Sequence, residues 1–246
     1  MPSVTAVRGM LNADALRVLR DRFLVGISLY IIFIFFIMRA AIPAVTKAIA
    51  LNWDFDLTPY HPLIVSHFVV QLAPLIPGIV GGFLLVESRE DGTVKALLVS
   101  PNPLSSYLSV MSAVMYFTAA VLVMVAGPII GLRLPPGAAL FLVALAAAPA
   151  GPAFALLIAA IANNKVQAFA YMKIFGSAPL ISVGAYFLPE PWQWLTAIYP
   201  PYCACKAYWV AEAGGSVWPL WVLLGLIASA FWLGVLRRAF FRAARR

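Results

Sequence analysis

Residues 105–131 read SSYLSVMSAVMYFTAAVLVMVAGPIIG, and this stretch decides the fold class. It carries no charged side chain and lies within a longer uncharged run, residues 96–132. A helix needs roughly 20 mostly apolar residues, each rising about 1.5 Å, to cross the hydrocarbon core of a bilayer. The stretch therefore predicts a membrane-spanning helix.

The whole chain has the same apolar character. Of its 246 residues, 63% are hydrophobic and only 11% are charged, and the mean hydropathy is +0.95. A soluble domain carries about a quarter charged residues, so this chain has too little charge to cover a globule in water. The composition also excludes a disordered chain and, because there are only two cysteines, a disulfide scaffold.

Five further uncharged runs predict the other spans; they cover residues 23–38, 57–86, 134–164, 174–189 and 213–236. The two shortest runs extend past a lone cation, Arg39 or Lys173, because long basic side chains can reach toward the interface. We therefore predict an all-α membrane protein, with one transmembrane domain over residues 1–246. Its six helices are expected near residues 22–42, 63–86, 105–131, 138–162, 166–188 and 215–236.

The basic residues predict the orientation of the chain. With the N-terminus inside the cell, twelve of the 17 Lys and Arg residues fall in cytoplasmic segments, four fall outside, and Lys173 lies within a span. This bias predicts that both termini are cytoplasmic. Residues 1–22 are predicted to form a short interfacial helix, with Val18 and Leu19 on its apolar stripe. A frayed polar leader is the alternative interpretation.

The chain has few groups that could carry out catalysis. No polar stretch is long enough for a soluble catalytic domain, and none of the five lysines follows a glycine, as the lysine of a phosphate-binding loop does. His61, His67, Cys203 and Cys205 fall on the predicted outer side, but their spacing matches no standard zinc site. We therefore predict no catalytic residue and no metal. We also predict no nucleic-acid partner, since the net charge of +8 suits cytoplasmic loops that face anionic lipid.

Two features inside the spans have both a functional and a packing interpretation. Pro74 and Pro77 can bend a helix that lines a pathway, or are simply tolerated, as Pro often is in membrane helices. Lys173 either reaches back to the cytoplasmic interface or meets an anionic partner, such as Glu87 or a substrate group.

Small residues at four-residue spacing in the fourth span predict close helix packing: Ala147, Gly151, Ala155 and Ala159.

The richest polar segment follows the second predicted span. Residues 87–103 read ESREDGTVKALLVSPNP. A cap at Asp91 or Thr93 can begin a short helix, in which Leu97 and Leu98 stand within an otherwise charged loop. Two exposed leucines in this position predict a covering surface, either a partner protein or the lipid surface.

The pattern Glu-x-x-Glu-x-Gly-Thr-x-x-x-Leu-x-x-Ser-Pro in this segment resembles the segment after the second helix of ABC-transporter permeases of the type-2 export class. The resemblance continues at residues 163–173, which look like that family's connection between the fourth and fifth spans. It extends to the outer segment, residues 189–212, with its Pro-Glu-Pro-Trp, Tyr-Pro-Pro-Tyr and Lys-Ala-Tyr-Trp runs. The order and spacing of the six spans agree over nearly the whole chain, and the outer segment is nearest to small bacterial drug-export permeases.

The resemblance implies a permease subunit in the bacterial inner membrane. In that family the segment after the second helix is a coupling helix that docks on a separate ABC ATPase, which binds ATP and Mg, so this chain needs no cofactor of its own. A second permease chain, identical or different, and membrane lipid are the other implied partners. The implied coupling residues are Glu87, Glu90, Gly92, Thr93, Leu97, Leu98, Ser100 and Pro101.

The outer segment is implied to form a re-entrant or interfacial hairpin that caps the outer mouth. Its aromatic residues, together with Trp218 just after it, also suit an interfacial belt, whose members would be Trp192, Trp194, Tyr199, Tyr202, Tyr208, Trp209 and Trp218. A pathway or gate is expected at Pro74, Pro77, Lys173, Trp192 and Tyr199.

Two other function classes are alternatives to the exporter. A proton-coupled secondary multidrug transporter relies on carboxylates at mid-membrane, whereas all nine Asp and Glu residues fall at span ends or in loops. An intramembrane enzyme needs a nucleophile–base pair or a metal cluster at one depth, and only His67 lies near a span. The resemblance, with these two classes disfavoured, implies an ABC exporter subunit that moves a small or amphipathic substrate outward by alternating access.

Overall fold

The computed structural model describes residue 9, residues 16–99 and residues 104–245. Six helices are long and apolar enough to cross a membrane: span 1 (Arg22–Trp53), span 2 (Thr58–Glu90), span 3 (Leu104–Ile130), span 4 (Gly137–Ile161), span 5 (Lys165–Tyr186) and span 6 (Trp218–Ala244). The rest of the described chain consists of shorter helices, turns and connections, without a strand. The predicted all-α class and the six spans are confirmed.

Span 1 is longer than the predicted helix. Pro43 lies inside it, and the helix continues to Trp53 before Asp54 takes up a left-handed conformation with φ 51°. The hydroxyl of Thr46 donates to the carbonyl oxygen of Ile42 at 2.8 Å, next to the proline. The predicted end at residue 42 was wrong because a membrane helix can continue through a proline, which removes only one backbone donor.

Span 2 changes its helical type along its length. A 3-10 turn, a short α-helix and a π-helical turn over His67–Leu72 precede the α-helix Ala73–Glu90. Pro74 and Pro77 follow the π-helical turn directly and are buried. Proline lacks a backbone donor, and π turns are rare insertions that often occur at functional sites. The irregular part of this span therefore coincides with the prolines that the sequence analysis singled out.

Span 4 is divided into the helices Gly137–Ala147 and Ala150–Ile161. Pro149 has no N–H to donate to the carbonyl oxygen of Leu145 four residues earlier. The hydroxyl of Tyr116 in span 3 donates to that oxygen instead, at 3.2 Å. A neighbouring span thus satisfies the backbone group that the proline leaves free, as the hydrocarbon core requires.

Span 5 is also divided, into Lys165–Phe175 and Leu180–Tyr186, whereas the sequence analysis predicted one continuous helix. Turns that include Pro179 separate the two parts. Gln71 of span 2 donates to the carbonyl oxygen of Pro179 at 3.2 Å and accepts from the hydroxyl of Ser182 at 3.2 Å. Gln71, a buried polar side chain of span 2, therefore bonds to backbone and side-chain groups at the break.

Spans 2 and 4 form the centre of the bundle. In the most apolar part of each span, 78% of the residues of span 2 and 72% of those of span 4 are buried, against 17% in span 1 and 22% in spans 5 and 6. Spans 1, 5 and 6 therefore present most of their apolar side chains outward, to lipid or to another chain.

Small residues allow the two central spans to approach closely. A Cβ built on Gly78 would lie 2.5 Å from the carbonyl oxygen of Gly151, and one built on Gly82 would lie 3.4 Å from the Cα of Ala155. The crossing agrees with the close packing predicted from the small residues of span 4. Large buried side chains form one cluster in the outer half of the bundle and a second in the inner half.

The ends that the orientation places in the cytoplasm lie together. Arg17 donates to the hydroxyl of Ser88 at 3.0 Å, and residues 16–20 just before span 1 are helical. Val94, after span 2, belongs to the same buried cluster as Ala244 at the end of span 6. The remainder of the predicted interfacial helix lies outside the described residues.

The outer segment lies between spans 5 and 6. It consists of a short helix (Glu190–Gln193), a 3-10 helix (Trp194–Ile198) and the outer helix (Pro200–Glu212). Tyr202 and Tyr208 of the outer helix are fully buried, and Trp209 donates to the hydroxyl of Ser66 in span 2 at 2.7 Å. The predicted aromatic belt was wrong for these three residues, because the outer helix packs into the bundle.

Candidate functional site

The candidate site is the cytoplasmic end of span 2 together with the segment that follows it. The carboxylate of Glu87 lies 3.3 Å from the Nζ of Lys165, the first residue of span 5. Asp21, which caps span 1, lies 3.8 Å from the same nitrogen. One lysine thus joins the beginnings of spans 1 and 5 to the end of span 2. The alternative in which Lys173 pairs with Glu87 was wrong, because Lys165 takes that position.

The next two charged residues of span 2 contact both sides of the connection between spans 4 and 5. Arg89 Nη1 donates to the carbonyl oxygens of Ala159 at 2.7 Å and Ala162 at 3.0 Å. Glu90 Oε1 accepts from the backbone nitrogen of Lys165 at 3.4 Å. Free carbonyls at the end of a helix attract a cation, and free N–H groups at the beginning attract an anion. Span 2 therefore holds the end of span 4 and the beginning of span 5.

The connection itself is closed by two amide side chains. Asn164 Oδ1 accepts from the backbone nitrogen of Gln167 at 2.9 Å, and Gln167 Oε1 accepts from the backbone nitrogen of Asn163 at 2.9 Å. The N-cap Asn164 is extended, with φ −152° and ψ 168°. This reciprocal pairing resembles a capping box, and it fixes where span 5 begins.

Gly92 makes the turn between span 2 and the helix Thr93–Val99, which we call the coupling helix. Its φ is +73°, in the left-handed region that favours glycine, and a Cβ built there would meet no atom within 4 Å. A side chain here would be strained by the backbone conformation and not by a neighbouring atom. Val94, in the first turn of the coupling helix, is 2% exposed and packs in the inner cluster.

The apolar surface of the coupling helix differs from the expected one. Leu97 is half-buried and packs against the inner cluster, one turn beyond Val94. Leu98 and Val99 are the exposed apolar residues, with 39% and 87% of their surface accessible. Because residues three apart share one side of a helix, Leu97 follows Val94 inward. Ser100 and Pro101 lie outside the described residues.

The outer helix carries a second polar network. The Oε1 of Gln193 accepts from the hydroxyl of Tyr202 at 3.1 Å and from Lys206 Nζ at 2.7 Å. Lys206 also lies 3.6 Å from the carboxylate of Glu190. Burial raises the pKa of Tyr202 to about 12, so its hydroxyl remains a donor at neutral pH. The network holds the outer helix to the short helix before it.

The structure does not bring the five predicted pathway residues together. Pro74 and Pro77 are buried in span 2, Tyr199 is at the start of the outer helix, and Trp192 is 61% exposed. Lys173 is on the exposed side of span 5, with its Nζ 4.7 Å from the centre of the Phe169 ring in a cation–π contact.

Two apolar cavities of about 390 Å³ each lie within the bundle. The first is between spans 1, 2 and 3 and includes Pro77 in its wall. The second is between spans 4, 5 and 6 and the outer segment, and it has four aromatic residues in its wall: Phe154, Phe175, Tyr199 and Trp232. Each volume lies within the range of pockets that hold drug-sized molecules.

The histidines and cysteines on the predicted outer side do not form a metal site. Cys203 and Cys205 are buried free thiols, and His61 Nε2 lies 2.8 Å from the hydroxyl of Thr46. Among residues 16–99 and 104–245, no three His, Cys, Asp or Glu side chains are grouped so that they could hold a metal ion.

Arg89 and Lys165 make most of the contacts at the candidate site, but neither was predicted as a site residue. In the sequence both count only among the basic residues that predict the orientation of the chain and as parts of polar connections. The spacing Asn164-x-x-Gln167 was a usable signal, since it is typical of a helix start. The carbonyl groups that Arg89 contacts carry no sequence signal, because every residue has a carbonyl group.

Comparisons with known proteins agree on one family. The family described as "Fluoroquinolones export permease protein Rv2686c-like" matches residues 14–237 of the chain. The chain is 32% identical over 183 residues to the fluoroquinolones export permease proteins Rv2686c and MT2760 from two strains of Mycobacterium tuberculosis. Each alignment covers 72% of this chain and 71% of the relative.

Proposed function

The chain belongs to the Rv2686c-like family of fluoroquinolone export permeases, and on that premise we propose that it is the membrane-spanning subunit of an ATP-driven exporter of the ABC type. Family membership confirms the predicted export permease, which is a transport subunit and not itself an enzyme. Together with the six spans, it also confirms a multi-pass protein of the bacterial inner membrane. The ATPase, the substrate and the pairing of chains are what we propose.

One observation carries the coupling proposal: span 2 ends in side chains that hold spans 4 and 5. Arg89 contacts the last carbonyl groups of span 4, while Glu87 and Glu90 contact the first residue of span 5. A displacement of the coupling helix would pass through Gly92 into this end of span 2. The charged contacts would then move the cytoplasmic ends of three spans together, which alternating access requires.

The ATPase subunit is proposed to bind the exposed side of the coupling helix. Leu98 and Val99 form an apolar knob, and the exposed Lys95 is one helical turn before it on the same helix. Interfaces of this kind bury an apolar centre within a polar rim, and the rim charges set orientation more than affinity. Val94 and Leu97 face inward, so ATP-driven force on the knob would be transmitted to the inner cluster.

The substrate is proposed to be a fluoroquinolone or another planar amphipathic drug, because both relatives are named for fluoroquinolone export. The second cavity suits such a molecule, since its aromatic side chains can stack on a planar ring. Tyr199 and Trp232 are both in its wall, and Trp232 Nε1 donates to the carbonyl oxygen of Ile198 at 3.0 Å. This contact ties the outer segment to span 6 and makes Tyr199 the proposed outer gate.

A second permease chain, identical or a sister, is proposed to complete the exporter. Spans 1, 5 and 6 bury only about a fifth of their most apolar parts, which leaves wide apolar surface for a partner or lipid. No internal repeat in the sequence supplies a second half of the pathway within one chain.

Co-expression with an ATPase subunit tests the proposal. Inverted membrane vesicles that contain both chains should accumulate a fluoroquinolone when ATP and Mg are added, and vesicles with either chain alone should not. The competing class, a proton-coupled transporter, would accumulate the drug with this chain alone under a pH gradient. In the described residues, Glu87 and Glu90 lie in the last turn of span 2 and the other acids lie in loops, caps or the outer segment, so no carboxylate is placed at mid-membrane for that mechanism.

A further inference from the structure

The first cavity is a groove between spans 1, 2 and 3 that runs a long way along the membrane normal. Its wall on span 3 extends from Tyr107 to Leu122, which is roughly 22 Å at the rise of an α-helix. Half of a hydrocarbon core about 30 Å thick is about 15 Å, so the groove is longer than one leaflet is deep. Apolar residues make up most of the wall, including the adaptable side chains Met111 and Met115.

The cytoplasmic end of the groove meets a basic cluster. Val18 is in the wall of the groove, and a polar pocket beside it is lined by Arg17, Arg20, Asp21, Arg22 and Glu87. Leu84 of the groove is three residues before Glu87 on span 2, so the two cavities follow each other along one side of that helix.

The acidic residues of this pocket are already engaged, whereas two of its arginines are not. Asp21 caps span 1 and, with Glu87, pairs with Lys165. Within the described part of the chain, the exposed Arg20 and Arg22 form no ion pair. Two cations therefore stand at the mouth of an apolar groove, at the depth of the lipid headgroups.

We propose that this groove binds one anionic phospholipid of the cytoplasmic leaflet, with its phosphate group at Arg20 and Arg22 and an acyl chain between spans 1, 2 and 3. Basic pockets between membrane helices on the cytoplasmic side are suited to anionic headgroups. The length of the groove favours an acyl chain over a compact drug molecule. Glu87 lines the same polar pocket, so an occupied site would hold span 1 against the end of span 2 that the coupling proposal uses.

The headgroup is tested by lipid binding to the purified full-length protein in detergent. Phosphatidylglycerol should bind more tightly than phosphatidylcholine with the same acyl chains. The double variant Arg20→Ala/Arg22→Ala should lose about fivefold in phosphatidylglycerol affinity per arginine, which is the usual contribution of a basic residue near an anionic surface, and should keep its phosphatidylcholine affinity. The matched control, Arg238→Ala/Arg242→Ala at the cytoplasmic end of span 6, should bind both lipids as the wild type does.

The groove is tested on span 3. Val114→Trp fills the groove and should weaken the binding of both lipids while the preference for phosphatidylglycerol remains. Val125→Trp changes a similarly exposed valine of the same helix (46% exposed, against 43% for Val114) that is not in the wall of the groove, and it should have no effect. Circular dichroism and size-exclusion chromatography of each variant separate a loss of lipid binding from a loss of fold or oligomer.

Three results would overturn the proposal. One is unchanged phosphatidylglycerol binding in the arginine double variant, and another is unchanged binding in Val114→Trp. The third is dissociation of a dimer by Val114→Trp with normal lipid binding, which would assign the groove to a second copy of the chain. None of these measurements involves the ATPase, so each of these results would overturn the lipid proposal without bearing on the transport proposal.

Discussion

Arg89 Nη1 lies 2.7 Å from the carbonyl oxygen of Ala159, near the cytoplasmic end of span 4, and donates a hydrogen bond to it. The same nitrogen donates to Ala162, the C-cap of that helix. Arg89, three residues before the turn at Gly92, thus holds a helix from a different part of the chain. In the proposed mechanism, docking of an ATPase depends on the coupling helix, whereas movement of the spans depends on Arg89. Different substitutions should therefore affect docking and movement separately.

The variant Arg89→Gln should dock the ATPase but fail to couple it. Removing a charged donor from two helix-end carbonyls costs about 1.5–3 kcal/mol of the local interaction, while the coupling helix keeps its exposed side. ATPase co-purification should therefore be normal, and ATP-driven drug uptake should fall strongly. Arg89→Lys is the control: both bonds come from one nitrogen, so an ammonium group should recover part of the transport.

The variant Leu98→Asp, unlike Arg89→Gln, should weaken docking of the ATPase. Truncating one buried interface leucine commonly costs 1 kcal/mol or more, roughly fivefold in population, and a charge there should cost more. We expect normal membrane insertion, weak ATPase co-purification and little transport. Lys95→Ala, on the polar rim of the same helix, should dock almost normally. Normal docking by Leu98→Asp would remove the assigned ATPase surface.

The variant Gly92→Val should misdirect the coupling helix. A residue with a Cβ costs about 1–2 kcal/mol in the left-handed conformation that Gly92 adopts, and a β-branched residue is the least tolerant. Transport should be lost while the spans remain inserted. Gly184→Ala, in a helix with open space around the glycine, should transport normally and is the matched control. Normal transport by Gly92→Val would show that the turn has no role in coupling.

The variant Gly78→Ala should destabilise the centre of the bundle. Its new methyl group would lie 2.5 Å from the carbonyl oxygen of Gly151, so the backbone of span 2 or span 4 must shift. Overpacking of this kind typically costs about 1–3 kcal/mol, and the midpoint of thermal unfolding in detergent should fall. Gly234→Ala in span 6 meets no atom within 4 Å, and its midpoint should remain the same or rise, because Ala favours a helix.

The variants Lys173→Ala and Lys173→Glu should differ. The ammonium group is exposed and lies over the Phe169 ring, so its removal should cost about 1 kcal/mol or less and leave transport nearly intact. An acidic side chain at this place in span 5 costs about 2–4 kcal/mol, so Glu should reduce insertion. Loss of transport in Lys173→Ala at normal expression would assign the lysine to the pathway.

The spans could be predicted from sequence because they depend on a property that accumulates over many residues. An uncharged run of about 20 residues has few alternatives to a membrane helix. The helix breaks were not predicted, because the chain breaks a membrane helix at Pro149 and Pro179 only where another group satisfies a carbonyl group at the break, that of Leu145 in span 4 and that of Pro179 in span 5. Tyr116 and Gln71, which do so, are distant in the chain and nothing in the sequence marks them.

The candidate site was predicted in position but not in detail. Gly92 and the short helix after it follow from local rules for turns and helix starts, and the structure places both as expected. The exposed side of that helix depends on what Val94 packs against, which is a property of the assembled bundle. For the same reason the exposed knob is Leu98 with Val99, and Leu97 is directed inward.

The most direct test of the account compares ATP-driven fluoroquinolone uptake and ATPase co-purification in the wild type, Arg89→Gln and Leu98→Asp, each co-expressed with the ATPase. We predict uptake and docking in the wild type, docking without uptake in Arg89→Gln, and neither in Leu98→Asp. Fluoroquinolone uptake by the wild-type chain without an ATPase, driven by a pH gradient and unaffected by both substitutions, would contradict it.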